Sequence, residues 1–237
     1  MENINKSSME ITLIDTKPSI FESKVGGMGY IPHDSNFPTD SNGNQLRLLA
    51  QIDCSEIQLD EFPKKGLLQF WLAGDDLYGC DFDNPTNQDG FRVIYYPEVD
   101  TTVTEEEIKS KFVHNETDDD DFYTPVCSEC GMSFEPSEDR YIDYDAIEED
   151  YDEEEDSYDD ERWTENFYSK VGGYPTFTQY EPRNEEQQKE YDFLLFQLDS
   201  DCQKVLWGDM GIGNFFISSE KLKKCDFSDV LYNWDCG

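Results

Sequence analysis

Two histidines, seven cysteines and 55 carboxylates are the groups in this chain that could do chemistry. A serine or cysteine nucleophile needs a base within hydrogen-bond reach. His33 sits in a loop-like Pro-His-Asp segment and His114 borders an acid run. Neither lies near a Gly-x-Ser-x-Gly turn that would present a strained nucleophile, so both read as surface histidines. Cys127-Ser128-Glu129-Cys130-Gly131 has the spacing of half a zinc ribbon. A structural zinc takes four ligands, and no second Cys-x-x-Cys or spaced histidine pair completes the set. A thioredoxin-like redox role would need a βαβ context that the pattern lacks. Asp81-Phe82-Asp83-Asn84, with Asp89-Gly90 beyond it, is the nearest approach to a calcium loop, but it lacks the turn glycine and the closing glutamate. Asp75, Asp76, Glu181 and Asp209 could pair as acid and base in glycoside chemistry. In so acidic a chain, such pairs carry almost no information. The reading expects no catalytic residue, no metal and no cofactor.

The elements that would position these groups show first as a repeat. Ser23-Lys24-Val25-Gly26-Gly27 returns as Ser169-Lys170-Val171-Gly172-Gly173. Leu48-Leu49-Ala50-Gln51-Ile52-Asp53 follows the first copy at the distance at which Leu194-Leu195-Phe196-Gln197-Leu198-Asp199 follows the second. Leu67 to Trp71 matches Val205-Leu206-Trp207, and Gly74-Asp75 matches Gly208-Asp209. Four blocks in one order point to duplication. Two copies are too few for a solenoid and suit a pseudo-twofold domain in which each covers the other's apolar face. Paired glycines permit left-handed backbone or close approach. Without a phosphate-loop fingerprint they read as a tight turn entering each repeat.

The blocks themselves read as strands. Gly66 to Leu72, Phe91 to Pro97 and Gly213 to Ser218 join the two Leu-Leu-x-Gln blocks as short apolar, aromatic-rich runs bounded by turn residues. Short helices are expected over Thr104 to Lys111, Asn184 to Tyr191 and Ser219 to Lys224. The fold class is therefore α+β, mainly antiparallel β, as an internally duplicated pseudo-twofold domain with an acidic insert. One domain spans 1–237, with repeat one at about 15–100, the acidic insert at about 115–163 and repeat two at about 164–237.

Charge narrows the partners. Fifty-five acids against 18 bases give a formal net charge of −37. That repels phosphate backbones and anionic lipid, so neither nucleic acid nor membrane is expected as a partner. It attracts basic proteins. Asp118-Asp119-Asp120-Asp121 opens the acidic insert, and its core runs from Glu138 to Glu161 with Arg140 as the one base and tyrosines at 141, 144, 151 and 158. Carboxylates there would attract Lys and Arg, and tyrosine rings would stack on guanidinium groups. A solvated connector is the plainer alternative. The odd, scattered cysteines and an N-terminus without a secretory pattern point to the cytoplasm.

DFDNPTNQDGFRVIYYP, KVGGYPTFTQYEPR, LLFQLDSD, VLWGDMGIGNFFI and DFSDVLYNWDCG together closely resemble the YwqG-like family of bacterial proteins, a domain of unknown function. The resemblance covers nearly the whole chain outside parts of the acidic middle. It implies a cytoplasmic, duplicated, mostly β fold and no established reaction. More distantly the family resembles ribosome-biogenesis proteins of the programmed-cell-death-2 type, which escort a basic ribosomal protein. Bacterial relatives also occur in toxin and immunity neighbourhoods.

Aromatic and arginine side chains near strand ends are the usual anchors of an interface. Tyr174, Phe177, Gln179, Arg183, Trp207 and Asp209 are the candidates in the second copy, and Tyr30, Gln51, Trp71 and Asp75 in the first. Trp71 and Trp207 also suit a core at the repeat interface. Gln51 and Gln197 should be hydrogen-bonded within their apolar strands. The expected function is a non-catalytic protein-binding module, a chaperone, adaptor or immunity factor for a basic protein or peptide. The alternative is an enzyme or small-molecule binder that uses a cleft between the repeats.

Overall fold

Leu68, Phe70 and Leu72 alternate with Leu67, Gln69 and Trp71 along one strand, and all six are buried. An antiparallel strand with one wet face would alternate apolar and polar. Burial of both sets means that both faces of this sheet are covered. The structure is a computed structural model that describes residues 5–113, 123–140 and 166–237. Among them, ten strands form one antiparallel sheet. They are β1 (Lys6–Ile14), β2 (Lys24–Val25), β3 (Arg47–Asp53), β4 (Leu67–Leu72), β5 (Phe91–Tyr96), β6 (Cys130–Asp139), β7 (Lys170–Gly172), β8 (Phe193–Asp199), β9 (Ile212–Ile217) and β10 (Leu231–Asp235). The order across the sheet is β10-β9-β8-β7-β1-β6-β2-β3-β4-β5. The long β1–β6 pair forms the centre, in register from Lys6↔Asp139 to Ile14↔Gly131. Four strands extend from it on either side. Pro136 lies where, among the described residues, β6 has no second neighbour, the place at which a strand tolerates a missing N–H.

β3 and β8 are irregular at the same place. The register shifts between Leu48 and Ala50 in one and between Leu194 and Phe196 in the other. Such a bulge turns two successive residues to one side. Leu49 with Ala50, and Leu195 with Phe196, all enter the main core.

The sheet curls so that its two wings face each other. Phe70 of β4 stacks on Phe196 of β8 at 4.7 Å between ring centroids, and Phe91 of β5 meets Tyr232 of β10 at 5.1 Å. None of these strands is the other's neighbour, so the rings close the interior across the curl. On the convex face, Tyr30, Phe37, Leu48, Trp71 and Ile108 form a second layer over β3 and β4. Phe177 and Tyr191 do the same over β8 and β9, against Leu194 and Phe216.

Among the described residues, three short α-helices buttress these layers, each started by a side-chain cap. In α1 (Glu105–Lys111) the Thr104 hydroxyl accepts from Glu107 N, with glutamates in the first turn and lysines in the last. In α2 (Glu185–Glu190) Asn184 and Gln187 form a reciprocal capping box. Ser218 caps α3 (Ser219–Lys223).

The structure differs from the sequence reading in three places. β1, β2, β6, β7 and β10 lie outside the expected strands. Val205-Leu206-Trp207 is not a strand; its Val205 makes an isolated bridge to Val126, and the place next to β8 belongs to β9. Glu138 and Asp139 close β6 rather than open an acidic tract. The tract from Tyr141 to Glu161, with Asp118 to Asp121 and His114, lies outside the described residues. Among the described residues no helix is long and apolar enough to cross a membrane.

Candidate functional site

The two Ser-Lys-Val-Gly-Gly blocks build the same clasp at matching places in the sheet. Lys24 pairs with Gln51 of β3, and Lys170 with Gln197 of β8. The serine before each lysine accepts from a β-strand amide, Ser23 from Asp53 N at 2.8 Å and Ser169 from Asp199 N at 2.9 Å. Each lysine, almost wholly buried, meets a carboxylate at 2.6 Å: Glu129 for Lys24 and Asp139 for Lys170. All four glycines are left-handed, between +67° and +75°. A Cβ on Gly27 would lie 2.2 Å from the Glu129 carboxylate, and one on Gly173 2.3 Å from that of Asp139. The Gly-Gly turn therefore wraps a protein carboxylate, which fills the place a phosphate would need.

Gln51 and Gln197 complete the clasps. Gln51 accepts from Tyr30 N at 2.8 Å, and Gln197 accepts from Thr176 N at 2.9 Å. Their amides donate back to the loop before the lysine, to Ile20 O and Glu22 O in one wing and to Tyr168 O in the other. Tyr30 is thus the counterpart of Thr176 rather than of Tyr174.

The clasps differ in access. The second is sealed. Asp139 also accepts from Ser8, Tyr168 and Tyr174 N, and its side chain and that of Lys170 are both 0% exposed. Burial pulls Lys170 down to about 8, with the Asp139 charge opposing. The first clasp opens on a cavity of about 360 Å³. Ile20, Met28, Phe37, Leu48, Trp71 and Phe112 give it an apolar wall. Lys17, Lys24, Arg47 and Lys109 stand around it with Glu105 and Glu129. Among the described residues, four bases and two acids stand at this cavity, in a chain with three times as many acids as bases.

Of the ten candidate residues, only Trp71 lines this cavity. Trp71 donates to Gln69 at 3.0 Å in the convex layer, whereas Trp207 lies in the concave core against Gly213. The two tryptophans are not equivalent, because β4 answers to β9. Tyr30 is buried, and its hydroxyl accepts from Asp100 N. Asp75 caps a turn through Leu77 N and Gly79 N. Arg183 forks onto Glu181 at 2.8 and 2.7 Å, donates to Tyr191 O and lies 3.7 Å over the Phe216 ring. Tyr174 lies beneath the Lys6 ammonium and Phe177 against Phe216, while Gln179 tethers Asp235 and Cys236. Asp209 is exposed. Where the wings meet, a groove lined by Asn87, Gln88, Asp89, Arg92, Val93 and Phe227 contains none of the ten.

The reactive-looking groups have defined local roles. His33 Nδ1 lies 2.9 Å from Glu107, and Nε2 lies 3.1 Å from the Thr102 hydroxyl. Thr102 donates to Asp100 at 2.6 Å, so its proton points away from the imidazole, opposite to a base-activated nucleophile. Cys130 faces the core, where burial pushes its thiol up to about 11, while Cys127 is exposed. Burial likewise pushes Cys80 up to about 12. A thiolate is the metal-binding and nucleophilic form, and burial opposes it at both. Asp81 accepts from Asn84 N and Asn87 Nδ2, and Asp89 from Ser41. Among the described residues no group of three His, Cys, Asp or Glu is placed to hold a metal ion.

Fold and clasps together define an antiparallel β protein with a lysine–carboxylate pair locking each wing and a cavity lined in part by the Lys24–Glu129 pair. The chain belongs to the family described as Domain of unknown function (DUF1963), whose model matches residues 23–236. No curated protein matches it.

Proposed function

We propose that this chain is a non-catalytic protein-binding module that holds a basic partner against an acidic exterior. The observation that carries the reading is the charge balance, 55 acids to 18 bases. Support comes from the described residues, where His33, Asp75, Asp81, Asp89 and Arg183 are engaged in holding loops and turns. We further propose that the two wings descend from one duplicated unit, a reading supported by the matched clasps and bulges. Within its family the chain is read as YwqG-like, on the sequence blocks quoted above, and as a cytoplasmic protein.

The test is to capture partners on the intact chain and then titrate the purified partner at about 50 and about 300 mM salt, a range over which exposed charge attraction is progressively screened. The comparison variant carries Asn and Gln for every Asp and Glu from 143 to 161. A deletion starting at Glu138 would remove Asp139 and strand Lys170, confounding binding with folding. The reading expects a basic partner whose affinity falls with salt and with tract neutralisation. A partner that binds equally under all these conditions overturns it.

A further inference from the structure

We infer that the exposed patch centred on Trp234 is a docking surface for the basic partner and receives an arginine-bearing segment of it. The inference rests on the protein-binding reading above and names the surface that reading leaves open. Trp234 is half-buried near the end of β10. Its indole N–H donates to Leu77 O at 2.8 Å, which fixes the ring. Tyr78 lies against it at 4.8 Å between centroids and Phe82 at 6.2 Å. The left-handed turn at Gly208 also closes on it, where a Cβ would come within 3.2 Å of the indole. Around this held ring, Leu77 is 44% exposed, Phe82 51% and Met210 48%. Large apolar side chains left in water beside a fixed aromatic ring mark a surface that a partner covers.

The rim selects the occupant. Asp75 and Asp76 precede Leu77, Asp81 and Asp83 flank Phe82, and Asp209 precedes Met210. Segments 73–91, 205–218 and 225–237, which build the patch, contain no lysine or arginine. Among the described residues no base forms an ion pair with any of these five carboxylates. A guanidinium meets both parts of such a surface. Its plane stacks on an indole face, and its edge donates to carboxylates. A second copy of this chain fits badly, because a twofold contact would set each acidic rim against its own copy. Anionic lipid is repelled by the same rim.

The patch shares no residue with the carboxylates from 143 to 161, so the two can be tested apart. The test is an NMR titration of the full chain carrying isotope-labelled tryptophan. The probes are a capped peptide of alternating arginine and glycine and its citrulline analogue, which keeps the shape and removes the charge. Both are titrated into the intact chain and into the chain with Asn and Gln for every Asp and Glu from 143 to 161. The indole resonance missing from Trp234→Phe identifies that ring. The arginine peptide, and not the citrulline one, should move the Trp234 resonance in both chains.

Asp75 and Asp81 hold turns, so the rim is tested at Asp76 and Asp83. Asp76→Asn with Asp83→Asn, and separately Leu77→Ser with Phe82→Ser, should each weaken the arginine peptide at least about fivefold without lowering the thermal midpoint. Asp34→Asn with Asp60→Asn, exposed positions outside the patch, makes the same change in net charge as the rim pair and should weaken it less than about twofold. No arginine-peptide binding at millimolar concentration overturns the docking surface. So does binding that leaves the Trp234 resonance unmoved, that disappears when the tract alone is neutralised, that the citrulline peptide equals, or that the remote pair weakens as much as the rim pair. Each of these leaves the acidic-exterior reading standing, since that reading fails only on the salt and tract titration of the captured partner.

Discussion

Gly27 and Gly43 both hold left-handed backbone, at +68° and +87°, but only one is crowded. A Cβ at Gly43 meets nothing, so Gly43→Ala should cost about 1 kcal/mol of conformational strain. At Gly27 the methyl would displace Glu129 from the buried Lys24 as well. Gly27→Ala should cost about 2–4 kcal/mol in denaturant unfolding, and equal costs at the two sites would contradict the clasp. Lys170 makes a second residue-scale claim. Its value is about 8 in the folded chain and 10.5 ordinarily. Between those values the unfolded chain binds more protons at this site, so stability rises with pH there and is lost as pH falls through 8. The buried thiols Cys80 and Cys130, pushed up to about 12 and about 11, act in the opposite direction from about pH 9, and Tyr168, pushed up to about 12 by burial, does so above pH 10. The difference in stability between the native chain and Lys170→Met, measured from pH 7.5 to 10, should shift in favour of the native chain as pH rises, and a constant difference would contradict it. The motif itself was visible as letters. Its role was not, because Glu129 and Asp139 come from a separate stretch that no spacing ties to it.

At the scale of elements, the strands that bury both faces were the legible ones. β3, β4, β5, β8 and β9 are dense apolar runs. β1 and β6 bury one side and leave Glu10, Glu135 and Glu138 in water, so their composition is diluted. The alternation Met9-Glu10-Ile11-Thr12-Leu13 is the signal that would have found β1. The cavity was illegible for a related reason. Its bases sit on a loop, two strands and a helix, and nothing local marks Lys17, Lys24, Arg47 and Lys109 as neighbours. The wings meet through Phe215, which stacks on Tyr232 at 4.5 Å and contacts Phe70 at 4.9 Å. Phe215→Ala should therefore cost about 3–5 kcal/mol. Phe177→Ala, on the half-buried convex layer, should cost about 1 kcal/mol. Chemical denaturation of the two variants checks the difference, and equal losses would place the main core elsewhere.

For the molecule as a whole, a net charge of −37 is a standing repulsion. The range of that repulsion shrinks from about 30 Å at 0.01 M salt to about 10 Å at 0.1 M. The thermal midpoint should rise across that interval, and a fall would mean that local ion pairs such as Lys24–Glu129 outweigh the global field. The same field makes the central claim testable. The most direct measurement is the affinity of the captured, purified partner for the intact chain as salt is raised. The account expects a basic protein whose binding weakens steeply with salt and when the carboxylates from 143 to 161 are neutralised. A partner without basic character, or one indifferent to both changes, would contradict it.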